Sequence, residues 1–525
     1  MCEFNLIDLR IASLLAVLVS ATACGLSRAA PLVVATSAAA TRLAESPQPA
    51  EHELWAATWR PVPSDCTLLT PMLFLEGSFT PGRTNTPANP RDFARRSLQL
   101  PTGRVAVLWW RYSNSLFATE ADSARVGGLP SKTIPTPWAT IAAPAVREEW
   151  RTWLRDFKAA GGRMDYLVGD DEQWGAFKNW NLTQSEVMAL ANDPRAAEPR
   201  YGAAPLRALL KGVRIDMVTK FSESDDYLLW NKAVGTLAAA AMNFAIWQPA
   251  LAAFPKLRGS NFEGVRTTEH PGPNSNGHAQ PDDNIFGTNA APAQYGANRG
   301  AAQAWFIDPT HPTKLSKHGS NRIALSPWFA FLLDMQQGRA CRRSAPKVGL
   351  NPWIAPSSWR NAPSGDVAYP DDPRYWEEMV RHYALLGSEM FNFWNPTSIE
   401  SGTTQIHIAA QQRDEDARRL NRVLLELNRR TLGPVVAQAS VAPLSFRAQL
   451  LTTGAQRRDG TWLWRTTVEP GTTALRDRRS GTVVTLESHS IGRWDQTSTA
   501  LGPDYECVAA PAALKPLPNS VLTPQ

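Results

Sequence analysis

Three consecutive acids followed by aromatic residues are the part of this sequence best suited to chemistry. The segment "MDYLVGDDEQWGAFKNWN" runs from a short apolar stretch into Asp170, Asp171 and Glu172, and Trp174 follows. Side chains two residues apart on a strand point the same way, so we predict that Asp170 and Glu172 share a face. Two carboxyl groups that close cannot both ionise freely, and one keeps its proton to higher pH. Such a pair suits acid-assisted cleavage of a glycosidic bond, although acids are also ordinary at a solvated strand end or a helix N-cap.

Strands and helices that alternate along the chain predict how these acids are positioned. The strand-like runs are 66–77, 103–112, 164–169, 255–264, 303–308, 346–356 and 389–396, with amphipathic helices such as 146–162, 372–388 and 414–430 between or after them. This alternation predicts an α/β fold with a parallel sheet, and no glycine-rich nucleotide-binding loop follows any strand. We therefore predict a (β/α)₈ TIM-type barrel over residues 61–432. In such barrels the C-terminal strand ends carry the active site.

Further candidate site residues lie at other predicted strand ends. Glu263 closes one strand and could act as the nucleophile of a retaining double displacement, or it could be a loop acid bound to backbone or to an arginine. Trp174, Trp353 and Trp394 are predicted to stack on sugar faces, and Asn395 to hydrogen-bond with sugar. The alternative for the last pair is a core tryptophan followed by a turn at Asn-Pro.

The acidic segment also resembles a known family. "DDEQWGAFKNW" is similar to the D-W-E-x-W…N-W stretch of hyaluronidases, and more broadly to the D-x-E strand endings of chitinase-like barrels. The resemblance implies that Glu172 is the general acid and that Asp170 orients the acetamido group of the substrate. The carbonyl of that acetamido group would then be the nucleophile. Asp171 stands where the hyaluronidase pattern has tryptophan.

The C-terminal region has a different texture. Two alternating runs flank the turn at Asp459-Gly460, and "GTVVTLES" suggests a third strand. We predict a small antiparallel, sandwich-like β domain over residues 433–525. It could bind carbohydrate or serve only as a structural appendage.

The N-terminal region predicts export. An apolar core at 11–19 is too short for a stable membrane anchor and precedes an A-x-A pattern before Cys24, so residues 1–23 are interpreted as a signal peptide. Cys24 also fits the acceptor position of a bacterial lipoprotein, which would attach the chain to a membrane. Residues 24–60, rich in Ala and Pro, are predicted to be a linker. Cys66, Cys341 and Cys507 could then form at most one disulfide.

Composition narrows the partners. The 525 residues carry 54 Lys and Arg against 48 Asp and Glu, and a net charge of +6 is too diffuse to indicate nucleic-acid binding. No metal-ligand spacing or nucleotide motif is present, so no cofactor and no metal are predicted. The sequence therefore predicts an exported glycoside hydrolase with a carbohydrate substrate. The rival prediction is a non-catalytic, glycan-binding surface lipoprotein, and the oligomeric state is left open.

Overall fold

The computed structural model describes most of the chain from Glu53 to Val508, with gaps. The described residues are 53–77, 79, 86–110, 143–170, 192–199, 201–202, 204–209, 240, 243–261, 293–294, 306–308, 311–316, 328, 331–332, 335, 338–339, 351–354, 357–362, 365–370, 373–388, 390–401, 404–430, 435–439 and 448–508.

Within these residues the elements are as follows. The strands are β1 (Trp55–Thr58), β2 (Leu69–Pro71), β3 (Leu73–Leu75), β4 (Ala106–Trp110), β5 (Tyr166–Asp170), β6 (Arg258–Asn261), β7 (Ala293–Gln294), β8 (Phe306–Asp308), β9 (His311–Ser316), β10 (Asn351–Ile354), β11 (Ser357–Ala362), β12 (Gly365–Pro370), β13 (Met390–Phe393), β14 (Ser398–Ser401), β15 (Thr404–His407), β16 (Ala437–Gln438), β17 (Leu450–Gln456), β18 (Trp462–Val468), β19 (Ala474–Asp477), β20 (Val483–Thr485), β21 (Gly492–Thr497) and β22 (Tyr505–Cys507). The α-helices are α1 (Pro90–Leu98), α2 (Ala143–Ala159), α3 (Leu206–Leu209), α4 (Gln248–Ala253), α5 (Pro373–Leu385) and α6 (Ala410–Arg429), with a 3₁₀ turn at Pro194–Ala197 and a π turn at Asn243–Trp247.

The described parallel strands form two sheets, and the strands of one lie between those of the other along the chain. One has the order β3-β4-β5-β6 and the other β2-β1-β13-β10-β7. Only Met72 separates β2 from β3, so the two sheets share one continuous stretch of chain. The last parallel strand, β13, pairs with the first, β1, over four residues. Among the described residues no pairing joins β6 to β7. The prediction of an α/β fold with a parallel sheet is confirmed.

Three of the differences between the observed and the predicted strands concern β1, β7 and the run 303–308. β1 lies inside the segment 24–60 that was predicted to be a linker, and β7 lies in a Gly- and Asn-rich stretch to which no element was assigned. The run 303–308 was predicted to be a strand of the parallel sheet, and this is wrong. Its β8 pairs antiparallel with β9 in a hairpin. Apolar composition alone cannot distinguish a hairpin strand from a short parallel strand.

Side chains alternate along the parallel strands between an inner and an outer core. Tyr166 and Val168 of β5 belong to an inner cluster, which also contains Trp55, Trp353 and Met390 from other strands. Intervening residues of the strands pack outward against the helices in two larger clusters. This period of two is what a sheet with helices on one face requires. The inner cluster therefore forms the floor beneath the C-terminal strand ends.

The C-terminal region contains the predicted antiparallel hairpin. β17 and β18 pair across the Asp459-Gly460 turn, and β21 is the third strand beside β18. The predicted third strand, "GTVVTLES", contains β20, but β20 pairs with β19 in a separate sheet. Two small antiparallel sheets result, in place of one three-stranded sheet built from consecutive runs.

A buried charge network joins this β region to the helices α5 and α6. The Glu378 carboxylate accepts hydrogen bonds from the Arg465 guanidinium, including one from Nε at 2.6 Å, and a third from Arg381 Nη1 at 3.1 Å. Arg381 also donates to Glu426 at 2.8 Å. Burial alone would raise the pKa of Glu378, but the two guanidinium groups outweigh it and lower the pKa to about 2. The carboxylate is therefore ionised at neutral pH.

The same network determines which ring nitrogen of the buried His382 carries the hydrogen. Thr467 donates its hydroxyl hydrogen to Glu378 at 2.7 Å, because a carboxylate can only accept. The Thr467 oxygen, 2.9 Å from His382 Nε2, must then accept from an Nε2–H group. His382 Nδ1 is left to accept from the Thr453 hydroxyl at 2.8 Å. Burial lowers the pKa of His382 to about 3, so the ring stays neutral in the folded protein.

Acid sensitivity should follow from His382. Its folded pKa of about 3 lies below the usual 6.5, so the unfolded chain binds the extra proton first and stability falls as the pH drops through this window. Between pH 7 and 4.5 this contribution amounts to about 2–3 kcal/mol. We expect the free energy of unfolding of the parent to decrease more over this interval than that of the non-titrating His382→Gln variant, by urea unfolding at each pH. Parallel pH profiles would show that His382 is not the responsible group.

Two described cysteines are free thiols. Cys66 is buried and Cys507 is partly buried, and they are not joined to each other. Burial raises the pKa of Cys66 to about 11, which keeps it as an unreactive thiol. The third predicted partner, Cys341, lies outside the described residues.

Candidate functional site

The C-terminal ends of the parallel strands lie along one edge, which we call the mouth. Its described members are Trp59 after β1, Phe74 and Glu76 on and after β3, Asp170 at the end of β5, and Trp394 after β13. Because parallel strands end at the same edge of a sheet, residues far apart in sequence are brought together here. This is the edge at which the sequence predicts the site.

Register places the predicted acid Asp170 at this edge. Asp170 is the last residue of β5 and is the backbone partner of Trp110, the last residue of β4. The predicted site residues Glu172, Glu263 and Trp174 lie outside the described residues, so their proposed roles stay predictions.

The two predicted sugar-stacking tryptophans of the described part differ in exposure. Trp353, on β10, has an exposed fraction of 1%, and its ring centroid lies 6.1 Å from that of Trp59. Trp353 is therefore part of the inner cluster and packs against the Trp59 ring. Trp394 is partly exposed and packs against the same inner cluster. Of the two, Trp394 has surface to offer to a ligand.

Asn395 is occupied by a backbone contact. Its side-chain oxygen accepts from the Arg60 amide at 2.9 Å, and its nitrogen donates to the Arg60 carbonyl at 3.4 Å. The residue is buried. Its amide thus ties the end of β13 to the residue after Trp59, and so fixes how two strand ends sit side by side. A hydrogen bond from Asn395 to sugar stays a prediction.

Two residues of the mouth were not found by sequence reasoning. Trp59 is partly exposed, and its ring meets the Phe74 ring edge-on with centroids 5.0 Å apart. Glu76 is exposed and lies one residue beyond Leu75, whose partner on β4 is Trp109. The alternation Trp55, Ala57, Trp59 in "WAATW" was a usable strand signal. A single acid in "LEG" carries no motif, and only the strand register reveals its position.

The turn after Glu76 is built to one geometry. Gly77 has a φ of +108°, and a Cβ there would lie 2.6 Å from the Thr86 carbonyl oxygen. Only glycine fits both conditions. Two residues on, the Phe79 ring packs edge-on against Trp109 at 4.9 Å and Trp150 at 5.0 Å between ring centroids. The chain that carries Glu76 is thereby anchored to the outer core.

Hairpins follow several of these strand ends. β8 and β9 come after β7, β11 and β12 after β10, and β14 and β15 after β13. The β11–β12 and β14–β15 hairpins lie beside each other. Connections of this kind, on the edge that follows the strands, are where barrel enzymes place the residues that shape a binding site.

Two searches of the described residues bear on other kinds of site. No group of three or more His, Cys, Asp or Glu side chains there could hold a metal ion. None of the helices in that part of the chain is both long and apolar enough to cross a membrane.

Comparisons with known proteins give only weak likenesses. No protein-family model matches the sequence, and no curated protein matches it. Among solved structures, the chain is similar to a GH27 β-L-arabinopyranosidase from Geobacillus stearothermophilus, with a TM-score of 0.35 and 10% identity over 91% of this chain and 99% of that one. It is similar to the catalytic domain of GH30 xylanase C from Talaromyces cellulolyticus, with a TM-score of 0.29 and 9% identity over 83% and 91% of the two chains.

A third similar structure is an endo-β1,6-glucanase, with a TM-score of 0.32 and 9% identity over 75% of this chain and 70% of that one. All three are named as glycoside hydrolases or as enzymes that act on glycans. Structural similarity at these TM-scores does not indicate a function.

Proposed function

We propose that this chain is a glycoside hydrolase that cleaves a polysaccharide or glycoconjugate at the mouth. The observation that carries the proposal is the placement of Asp170 at the C-terminal end of a central parallel strand, within a D-x-E sequence. Carboxylates at this edge, above an inner core that contains several aromatic rings, are the equipment that glycosidic cleavage requires. The partly exposed rings of Trp59 and Trp394 support a sugar ligand at the same edge.

The proposed reaction uses the two carboxyl groups in different states. Glu172 donates its proton to the glycosidic oxygen as the bond from that oxygen to the anomeric carbon breaks. Asp170, ionised, stabilises the positive charge that develops on the sugar ring. Water then adds to the anomeric carbon and returns a proton to the enzyme, so the products are two sugars with free ends. Glu263 or the substrate's own acetamido group could form an intermediate before water enters, and the first reaction test does not depend on which.

A closed (β/α)₈ barrel belongs to the same proposal. The existing pairings connect β6, β5, β4 and β3 in one sheet and β2, β1, β13, β10 and β7 in the other, and Met72 joins β2 to β3 along the chain. Contact between β6 and β7 would complete the ring. Export by the segment 1–23, and lipid attachment at Cys24, are also proposed and fit a glycan substrate outside the cell.

The direct test is sugar release by the mature chain and by its Glu172→Gln variant. Both are incubated with β-glucan, galactomannan, chitin, hyaluronan and polygalacturonate while new reducing ends are counted. We expect release by the parent from at least one polymer, and at least about a hundredfold less by the variant, because the general acid is gone. The neighbouring Asp171→Asn variant is the matched control, with the same loss of one charge, and should keep activity.

Other results would separate the alternatives. Equal activity of the parent and Glu172→Gln would move the acid elsewhere, with Glu263 the next residue to replace. A parent that binds a polymer without releasing sugar would instead be the glycan-binding surface protein, and the glycosidase proposal would fail.

A further inference from the structure

We infer that Glu76 contacts the substrate at the mouth and selects a neutral sugar unit there. The inference rests on the proposed function, because it assigns a subsite within the same glycan-binding edge. No sequence motif marks Glu76. The inference depends on the position of Glu76 in the sheet, its unpaired carboxylate, the fixed backbone around it and its negative charge.

Position comes from strand register. Glu76 is one residue past the Leu75–Trp109 pair, so it lies level with Trp110, which pairs with Asp170. Only β4 separates it from the strand that ends in Asp170. With neighbouring strands about 4.8 Å apart, the two backbones are roughly 9.5 Å from each other. A sugar bound over Asp170 is therefore within reach of a glutamate side chain on β3.

Availability distinguishes Glu76 from the acids used for structure. Glu378 and Glu53 each form ion pairs, with Arg465 and Arg104 respectively. Glu76 is exposed, and within the described part of the chain it makes no hydrogen bond and no ion pair. Its carboxylate oxygens are free to accept hydrogen bonds from a ligand.

Rigidity is supplied on both sides of Glu76. Phe74 packs against Trp59 on the inner side, while the Gly77 turn holds the chain against the Thr86 carbonyl on the other. A surface acid on a mobile loop would lose entropy on binding, but an acid on a fixed turn is already placed. The ring of Trp59 also lies beside the same stretch and offers an apolar surface for stacking.

Charge then determines the ligand. A carboxylate accepts hydrogen bonds from sugar hydroxyl groups and repels a second carboxylate or a sulfate. The sugar unit at this subsite is therefore neutral, even though the chain as a whole carries a net charge of +6. Uronic acids and sulfated sugars are disfavoured at this position.

The test compares Glu76→Gln with Glu149→Gln. Glu149, on helix α2, is also exposed, and among the described residues it makes no hydrogen bond and no ion pair. For the parent and both variants, kcat/KM is measured on galactomannan and β-glucan as neutral polymers and on polygalacturonate and hyaluronan as anionic ones. We expect Glu76→Gln to lose about ten- to a hundredfold on the neutral polymers, the range of a charged hydrogen bond, and to narrow the preference for neutral over anionic polymers. Its thermal midpoint and the activity of Glu149→Gln should stay unchanged.

Each other outcome is also decisive. Parental kinetics in Glu76→Gln, or a parent that prefers the anionic polymers, overturns the inference and leaves the glycosidase proposal in place. If the parent cleaves none of the polymers, the glycosidase proposal fails, and binding is read from tryptophan fluorescence. Loss of galactomannan binding in Glu76→Gln alone would then support the contact. Absence of binding by the parent would overturn both.

Discussion

Replacing Glu378 with glutamine should destabilise the protein by about 3–5 kcal/mol. The substitution keeps the size of the side chain but removes the charge that neutralises Arg465 and Arg381, both of which are buried or nearly so. A buried guanidinium that has no carboxylate partner pays the free-energy cost of leaving water without an ion pair to offset it. The free energy of unfolding, measured by urea titration at pH 7, is the quantity to compare.

Two further variants make the Glu378 prediction specific. Glu378→Leu combined with Arg465→Leu removes the Glu378–Arg465 pair and should cost less than the sum of the single changes, because Arg465 is not left unpaired and Arg381 keeps its ion pair with Glu426. Asp92→Asn breaks an ion pair with Arg95 in which both side chains are more than half exposed, and it should change stability by less than about 0.5 kcal/mol. If Glu378→Gln behaves like Asp92→Asn, the network does not hold the β region to the helices.

Trp150→Ala should cost a similar amount, about 3–5 kcal/mol. Trp150 has an exposed fraction of 0%, stacks on Trp153 with ring centroids 5.1 Å apart, and contacts Phe79 and Trp109. Its removal leaves a cavity in the core cluster that also contains Phe79, Trp109 and Trp153. Because Phe79 follows the Gly77 turn, we also expect the proposed sugar-releasing activity to fall with stability.

The matched control is Trp150→Phe. It keeps a ring between Phe79 and Trp153 and loses mainly the 3.0 Å hydrogen bond from the indole nitrogen to the Ile246 carbonyl. A cost of about 1–2 kcal/mol is expected in the urea titration. Equal losses for alanine and phenylalanine would assign the effect to the hydrogen bond and not to the packing.

Much of the fold could be predicted because apolar periodicity records which face is buried. The helix predicted at 146–162 and the hairpin around Asp459-Gly460 both correspond to observed elements. β7 could not be found, since two residues in a polar stretch leave no period to detect and become a strand only by pairing with β10. β1 was missed because its two alanines follow an Ala-rich segment and resemble a continuation of the predicted linker.

The position of Asp170 at a strand end could be predicted for a related reason. Asp170 was located because a run of acids interrupts an apolar strand, which is a local signal. Glu76 has no such signal, and its relation to Asp170 is created by two successive strand registers. Asn395 shows the converse, because nothing in the local sequence indicates that its side-chain amide hydrogen-bonds to the backbone of Arg60.

The side-chain amide of Asn395 accepts a hydrogen bond from the backbone of residue 60, which lies far away in the sequence. Asn428 and Asn421 likewise accept from the backbone amides of Leu54 and Leu68, across 374 and 353 residues of chain. Residues 54–68 are therefore synthesised long before the three asparagines to which they hydrogen-bond. Until then Trp55 and Trp59 have no complete core to enter, and the early chain has the long-range contact pattern that slows folding and invites aggregation.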